Sequence, residues 1–377
     1  MVQQQRLVQH FIQLVQIDSE TKYERAICDT LKQQFSALGL EVIEDDTTAI
    51  TGHGAGNLIV TWAATEDCKS AKRLLFTSHM DTVTPGKGIK PQVHEDGLIT
   101  SDGTTILGSD DKAGLAALFE AIRIIQEGNE SHGQIQFIIT VGEESGLNGS
   151  RAMDRNALQA DYGFALDSNG EVGAIAVAAP AQAKIQMEIQ GKSAHAGVNP
   201  EDGISAIQVA GKAIARMKLG RIDHETTANI GRFEGGGATN IVTDYVKLDA
   251  EARSIVQEKV EAQLASMKEA LESAAQEFGA TAKFESKIMY PAFKFEEQDE
   301  VVQVASRAIT SLGLTPRLFH SGGGSDANIF NGLGVPTVNL AVGYEDIHTT
   351  QERIHTNDLV KTAELVVALI REAAATE

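Results

Sequence analysis

The sequence predicts an α/β fold in which a mixed central sheet is interrupted by a smaller inserted α+β domain. Short apolar segments alternate with helix patterns over 1–179 and again over 290–377, which is typical of a sheet layered with helices. Between these stretches, 180–289 follow the order β-α-β-β-α-β of the ferredoxin-like split unit. We therefore expect a discontinuous first domain, 1–179 with 290–377, and a second domain, 180–289.

Elements of the first domain are predicted from apolar periodicity. Amphipathic helices are expected at the N-terminus and over 23–38, and later helices over 301–312 and from 357 onward. Another helix begins near Asp110, because apolar residues recur at three- and four-residue steps from Leu115 to Ile125. Short apolar segments predict strands over 40–43, 57–63, 73–78, 134–141, 162–166 and 336–342.

The second domain is predicted from a change in pattern. Residues 184–190 alternate between apolar and polar side chains, as in a strand with one exposed face. Helices are expected over 204–217 and 260–278, because apolar residues recur there at helical spacing. The remaining strands are expected over 226–233, 241–251 and 281–289.

Composition excludes several classes of function. The 377 residues carry a formal net charge of -20, which disfavours nucleic acid and acidic membranes as partners. Residues 1–19 lack the pattern of a signal peptide, and no segment approaches the roughly 20 apolar residues of a membrane span. Cys28 and Cys68 have no metal-site or redox spacing. We expect a cytoplasmic protein with reduced thiols.

Acidic and histidine side chains fall where the predicted strands end. The carboxyl ends of parallel strands form the ligand-binding edge of an open α/β sheet, so these side chains are expected to lie together. Clustered carboxylates oppose one another's ionisation and need a counter-cation, and histidine and carboxylates are zinc ligands. Taken alone, Asp110 could be a helix cap. The set favours two metals that share one carboxylate: His79, Asp110, Glu143, Glu144, Asp167 and His348.

These motifs resemble those of the di-zinc metallopeptidase family that includes peptidase T, carboxypeptidase G, aminoacylase and succinyl-diaminopimelate desuccinylase. The Asp-Asp-Lys-Ala-Gly segment at 110–114 is most similar to peptidase T. The resemblance implies a mixed-sheet zinc-peptidase domain, with the inserted domain as a lid that also forms a homodimer. The motifs that carry it are His79-Met80-Asp81, Ser109-Asp110-Asp111-Lys112-Ala113-Gly114, Gly142-Glu143-Glu144, Asp167, and His348 with Glu352.

The resemblance also implies roles for these residues. His79 and Asp167 would bind one zinc, Glu144 and His348 the other, and Asp110 would bridge them. Asp81 would hold the His79 ring, and Glu143 would be the general base. A cis peptide bond between Asp110 and Asp111 is implied as well. His355 is the competing choice to His348 as a ligand.

Substrate-binding residues are implied mainly in the second domain. His195 lies in the matching segment 191–197, Asn240 in the segment 239–242, and Gly324 and Ser325 in a glycine-rich loop. Arg253 would bind a substrate carboxylate, because its planar fork suits that group. Its alternative is a surface salt bridge. Two departures bear on specificity: Gly322 replaces an arginine of peptidase T, and 239–242 are more similar to the carboxypeptidase and aminoacylase branches.

The predicted function is a metal-dependent peptidase for short peptides, an aminopeptidase that releases the N-terminal residue of tripeptides. Related alternatives are an N-acyl amino-acid hydrolase, a dipeptidase and a carboxypeptidase. A further alternative is a metal-stabilised binding protein without activity. Two divalent ions are expected, zinc with manganese or cobalt as alternatives. The expected partners are a short peptide and a second copy of the chain.

Overall fold

The computed structural model describes residues 1–375, which divide into two compact units. The first comprises Met1–Ala178, Phe295–Ser321 and the described residues from Ser325 onward, and the second comprises Ala179–Lys294 and Gly322–Gly324. Every helix within residues 1–375 is too short or too polar to cross a lipid bilayer.

Helices cover both faces of the first unit's sheet and one face of the second unit's sheet. Two of them, α6 and α7, belong to the second unit, and short 3-10 turns lie at Glu66–Cys68, Arg155–Ala157 and Pro200–Asp202. The helices are α1 (Gln4–Val15), α2 (Arg25–Ala37), α3 (Thr48–Thr51), α4 (Ser109–Glu127), α5 (Asn148–Ala152), α6 (Ala206–Arg216), α7 (Gln257–Phe278), α8 (Glu300–Ser311), α9 (Asp326–Gly332) and α10 (Thr356–Ala375).

The strands form three sheets, of which one lies wholly in the second unit. They are β1 (Glu41–Glu44), β2 (Leu58–Trp62), β3 (Leu74–His79), β4 (Gln92–Val93), β5 (Leu98–Thr100), β6 (Ile135–Thr140), β7 (Tyr162–Ser168), β8 (Ala174–Ala179), β9 (Ala181–Gln190), β10 (Gly220–Arg221), β11 (Thr226–Gly235), β12 (Tyr245–Ser254), β13 (Thr281–Tyr290), β14 (Phe293–Lys294), β15 (Arg317–His320), β16 (Thr337–Ala341) and β17 (Arg353–His355).

The main sheet is mixed, as predicted, and its strands in the first unit follow the order β1-β2-β6-β3-β7-β16-β8. Its four central strands, β6, β3, β7 and β16, are mutually parallel. Strands β3 and β6 are buried along their whole length, because helices pack on both faces of a parallel sheet. The carboxyl ends of these four strands therefore open onto one edge.

The second unit has the predicted ferredoxin-like order, with strands arranged β10-β11-β12-β9-β13. Its long strands alternate buried and exposed residues, so one face is apolar and the other polar. The apolar face packs against α6 and α7 through residues such as Met187, Leu248 and Met267. This unit therefore has a hydrophobic core of its own.

Differences from the predicted elements have local causes. Strand β8 was not predicted, because its alanine-rich sequence carries no strand signal, yet all six residues are buried in the sheet. Strand β12 begins at Tyr245 rather than at 241, because Ile241 pairs with His195 in an isolated bridge and not with the sheet. Asp167 lies inside β7 rather than after it, since pairing with β16 continues to Ser168.

Candidate active site

The carboxyl edge of the parallel strands carries the predicted acids and histidines. His79 is the last residue of β3, and Asp167 is the penultimate residue of β7. Glu143 and Glu144 lie in the turn that follows β6, and Asp110 lies in the first turn of α4. His348 lies in the loop after β16, where its backbone is left-handed with φ 63°. Five sequence-distant segments of the first unit thus supply one site.

Candidate ligand atoms gather in two clusters that share Asp110, and within each cluster they lie within 4.8 Å of one another. In the first cluster, Nε2 of His79 lies 3.0 Å from Oδ1 of Asp110 and 3.6 Å from Oδ1 of Asp167. In the second, Nε2 of His348 lies 3.2 Å from Oδ2 of Asp110 and 3.0 Å from Oε2 of Glu144. The two carboxylate oxygens of Asp110 therefore face different clusters.

The electrostatics of these clusters fit bound cations. Burial raises the pKa of Asp167 to about 7, and the nearby charge of Asp110 adds to this shift. Burial also raises the pKa of Glu144, although its hydrogen bond with His348 opposes the shift. Hydrogen bonds to Asp110 and Glu144 raise the pKa of His348 to about 10. Imidazoles and carboxylates are ligands that zinc accepts, and a divalent ion would relieve the repulsion among the acids.

Asp110 is joined to Asp111 by a cis peptide bond, which confirms that prediction. Although burial opposes ionisation of Asp110, hydrogen bonds to His348 and His79 hold its pKa below the usual range. Asp111 points elsewhere and accepts hydrogen bonds from the Ser78 hydroxyl and the Gly114 amide. The two adjacent acids therefore have different tasks, since only Asp110 belongs to both clusters.

Glu143 belongs to neither ligand cluster, although it adjoins the ligand candidate Glu144. Burial, followed by the charge of Asp167, raises the pKa of Glu143 well above its usual value. Its backbone amide donates to Oδ1 of Asp81 at 3.1 Å, and the amide of Glu144 donates to Oδ2 at 3.3 Å. Glu143 therefore lies beside the clusters without being a candidate metal ligand.

Asp81 contacts the His79 ring mainly through its main chain. The Nδ1 atom of His79 donates to the backbone carbonyl of Asp81 at 3.0 Å, whereas the Asp81 carboxylate is 3.6 Å away. That carboxylate is fully buried and instead receives the amides of the turn that holds Glu143 and Glu144. Asp81 therefore orients the His79 ring through its main chain and the Glu143 turn through its side chain.

A family model described as Peptidase family M20/M25/M40 matches residues 75–372. The chain belongs to this peptidase family. The crystal structure of aminopeptidase PepT from Bacillus cereus is 62% identical, with a TM-score of 0.95 and 99% of each chain covered. A tripeptidase structure from Staphylococcus aureus is 49% identical, with a TM-score of 0.96 and 99% of each chain covered. Peptidase T of Geobacillus thermodenitrificans is 26% identical over 97% of this chain and 98% of that protein.

Membership of this peptidase family confirms the prediction of an enzyme and disfavours a binding protein without activity. The family resemblance stated from the motifs is confirmed by the same match. For the individual residues, the structure supplies positions and contacts, and their roles as ligands, base and substrate contacts stay predictions.

Three residues that support the peptidase site were given no role from sequence, although Glu352 was part of a matching motif. The buried Glu352 carboxylate accepts the amides of Leu107, Gly108 and Asp110 and the Ser109 hydroxyl. Asn339 holds Asp167, since its side chain accepts the Asp167 amide at 3.0 Å and donates to the Asp167 carbonyl at 2.7 Å. The Tyr344 hydroxyl donates to Oδ1 of Asp167 at 3.1 Å. Asn339 lies in β16 and Tyr344 follows the end of that strand, and this position was the sequence signal that could have identified them.

The predicted substrate residues divide between the two units of the peptidase. His195, Asn240, Arg253 and Gly324 belong to the second unit, and Ser325 belongs to the first. Within the second unit, the loops of His195 and Asn240 are adjacent, because the amide of Ala196 donates to the carbonyl of Asn240 at 2.9 Å. Ser325 caps α9 and accepts a hydrogen bond from the Asn339 side chain.

Arg253 forms the salt bridge that was its alternative role. Its Nε lies 2.8 Å from Oε1 of Glu251, and its Nη1 donates to the Gly322 carbonyl at 3.5 Å. His355 lies outside both clusters and bonds the carbonyl of Asp96 through Nε2 at 2.7 Å, so His348 is the better ligand candidate.

Proposed function

We propose that this peptidase is a tripeptide aminopeptidase that uses two divalent metal ions, of which zinc is the first candidate. The observation that carries the proposal is the position of Asp110, whose two oxygens face separate clusters of imidazole and carboxylate ligands. The similarity to an aminopeptidase and to a tripeptidase over 99% of the chain supports the substrate class.

His79 and Asp167 would hold one ion, Glu144 and His348 the other, and Asp110 would bind both. Manganese and cobalt also accept these ligands. When bound, such a pair provides a nucleophile at neutral pH and polarises the carbonyl that is attacked. Asn339 and Glu352 would keep Asp167 and Asp110 in place, because metal ligands need fixed orientations.

Glu143 would act as general base and then as general acid. It takes a proton from the attacking water and delivers that proton to the amine released when the peptide bond breaks. Burial raises the pKa of Glu143, which favours the protonated form that the acid step needs. The Asp81 carboxylate holds the backbone that carries it.

The second unit would contact the rest of the substrate. His195 and Asn240 would approach the scissile carbonyl, and Arg253 would bind the terminal carboxylate. Gly324 and Ser325 would contact the backbone of the bound peptide. Gly322 stands where peptidase T has an arginine, so this chain offers one cation fewer to that terminus. We infer a looser limit on peptide length than in a strict tripeptidase.

Digestion of a peptide series by zinc-loaded enzyme tests the proposed function. We expect release of the first residue from Ala-Ala-Ala and slower release from the tetrapeptide, with mass spectrometry identifying each product. The N-acetylated tripeptide should resist cleavage, because an aminopeptidase requires the free amine. Faster cleavage of the acetylated peptide would favour an N-acyl hydrolase, and release of the last residue would favour a carboxypeptidase.

A homodimer formed through the second unit is also proposed. Large apolar side chains are exposed on this unit, among them Val198, Phe233 and Ile241. Light scattering coupled to gel filtration tests the dimer, and a Phe233→Glu variant should shift the protein toward the monomer.

We also propose a cytoplasmic location, because the two cysteines, Cys28 and Cys68, do not form a disulfide.

A further inference from the structure

The turn that carries Glu143 and Glu144 packs against a buried histidine–glutamate pair from a different part of the first unit. His53 follows α3 and Glu24 precedes α2, and both side chains are almost fully buried. Nδ1 of His53 lies 2.6 Å from Oε1 of Glu24. Neither residue belongs to a metal cluster or to the motifs of the active site.

The His53 ring lies directly against the backbone at the start of this turn. A Cβ atom added to Gly142 would come within 2.3 Å of Cε1 of His53, so the ring fills the space that any larger residue would need. Gly142 also has φ +59°, a backbone conformation that residues other than glycine rarely adopt. On the far side of the turn, Nε2 of His53 lies 3.4 Å from Oγ of Ser145.

Glu24 fixes the orientation of this ring. Its carboxylate also accepts the amides of Lys22 at 2.8 Å and Gly54 at 3.0 Å, so it is held by the loops on both sides. With the carboxylate as acceptor, the network assigns the ring proton to Nδ1 and leaves Nε2 of His53 as an acceptor. The Ser145 hydroxyl lies within reach of this nitrogen and of the Gly142 carbonyl, which is 3.3 Å away.

We propose that Glu24 and His53 are positioning residues for Glu143 and Glu144. The chemical part of this inference rests on the proposed function, since it takes Glu143 as the base and Glu144 as a ligand. The Asp81 carboxylate holds the amides of these two residues, and the His53 ring supports the flanking residues Gly142 and Ser145. A small displacement of a catalytic group costs up to about 10²-fold in rate, so such a support matters for turnover.

A glutamate–histidine–serine series can also be a nucleophilic triad, but the contacts of Ser145 argue against it. Its Oγ accepts hydrogen bonds from the Thr21 hydroxyl and from the Asn148 side chain, each at 2.9 Å. Both lone pairs of the hydroxyl are therefore occupied by donors. Ser145 thus connects the turn to its surroundings instead of attacking a substrate.

The test compares His53→Ala with His10→Ala. His10 is a matched control, because it is equally buried, bonds Gln34 through Nε2 and packs on Phe119 rather than on the turn. Amide hydrogen exchange is measured on metal-free protein for the peptide spanning 142–147. We expect exchange at least about tenfold faster in His53→Ala, corresponding to loss of one strong hydrogen-bonded contact, and no change in His10→Ala.

Kinetics on the zinc-loaded enzyme give the second measurement. His53→Ala should lower kcat about tenfold or more with KM nearly unchanged, whereas Glu24→Gln should lose less, because glutamine can still accept the ring N–H. His53→Asn should recover part of the loss, since its amide reaches the Glu24 carboxylate. If His53→Ala does not fold, Glu24→Gln and His53→Asn are compared with His10→Ala in the same two measurements.

The outcomes separate this inference from the proposed function. Unchanged exchange over 142–147 in every His53 and Glu24 variant overturns the positioning role, whatever the enzyme cleaves. A kcat loss no greater than that of His10→Ala at equal melting temperature overturns it as well. Faster exchange with no tripeptide cleavage by the wild type would instead support the positioning role and reject the proposed substrate.

Discussion

Both units of this peptidase carry acidic side chains on or beside a sheet, but those of the two units differ in burial and in the residues that they pair with. On the polar face of the second unit, Asp249, Glu251 and Glu285 each pair with a lysine or arginine. They are between about a third and just over a half exposed. At the edge of the first unit, Asp110 and Glu144 are 7% and 5% exposed, and their ion-pair partners are histidines.

The difference shows why the number of acids is a poor guide to metal binding. An exposed carboxylate beside a lysine is solvated and neutralised, so such a pair contributes about 0–1 kcal/mol to stability. Buried carboxylates that face imidazoles and one another have little solvent to stabilise their charge. The burial and the type of partner, rather than the net charge of -20, therefore distinguish the site.

The largest expected effect lies within the buried cluster. Glu143→Gln should retain both metals and the fold but lose about 10²–10⁴-fold in kcat, the usual contribution of a general base. Glu144→Gln should instead weaken the binding of one metal, because it removes a ligand. Steady-state kinetics and elemental analysis of both variants check the assignment, and the opposite pattern would exchange the roles of the two glutamates. Asp249→Asn is the matched change on the polar face and should alter neither.

Removal of metal should lower the thermal stability of the first unit and leave that of the second unit unchanged. Reconstituted protein should contain two zinc ions per chain, roughly 3.5–4 Å apart as in other paired sites. Chelation should lower the melting temperature, since ligand at about 1,000 times its Kd adds about 4 kcal/mol. Calorimetry with and without chelator measures this, and at most one metal per chain after reconstitution would reject the paired site.

The metal affinity should rise with pH beyond 7, because His348 has a pKa of about 10 and must lose its proton to bind metal, and Asp167 should account for the rise between about 5 and 7. Burial raises the pKa of Asp167 to about 7, so without metal this group stays protonated in the folded protein at pH values where an exposed aspartate is ionised. Metal binding must displace that proton, and each proton released makes the affinity about tenfold stronger per pH unit. Without metal, the raised pKa makes folding less favourable as pH increases over the same range. Competition with a chromophoric chelator at several pH values measures the slope, and a flat profile contradicts it.

A smaller effect is expected at Glu352, which supports the cluster without belonging to it. Glu352→Gln keeps the shape of the side chain but replaces a carboxylate that receives four hydrogen bonds. We expect a loss of about 1–3 kcal/mol in the free energy of unfolding and weaker metal binding. Chemical denaturation of the chelated protein measures the loss in the free energy of unfolding. Glu258→Gln, at the start of α7 in the second unit, serves as the exposed control.

The smallest effect is expected at Arg253, on the second unit. Arg253→Lys should lower kcat/KM for free-acid tripeptides by roughly tenfold, because an ammonium cannot reproduce the planar fork. C-terminally amidated peptides should be affected much less. If the wild type cleaves both kinds equally and the variant changes neither, the contact with Glu251 is the whole role of Arg253.

The sequence was sufficient to predict which edge of the sheet carries the cluster, because strand ends can be read from apolar segments. His79, Glu144 and Asp167 each lie close to such an end. Glu352 and His53 could not be assigned in this way. Their partners are 242 to 245 residues away for Glu352 and 29 residues away for His53, and no local pattern specifies those contacts. Burial of such polar groups becomes visible only when the whole unit has formed.

The position of β16 between β7 and β8 has a consequence for the order of assembly during synthesis. Strand β7, which contains Asp167, leaves the ribosome about 170 residues before β16, the strand that pairs with its edge and begins at Thr337. Until then, β7 and β8 present unpaired edges, which are prone to join other chains. The nascent chain can already contain His79, Asp110 and Asp167, whereas His348 comes last. Four of the five candidate ligands, Glu144 among them, therefore exist before the sheet that encloses them is complete. A chain that stops before residue 337 is a candidate for aggregation rather than for partial activity.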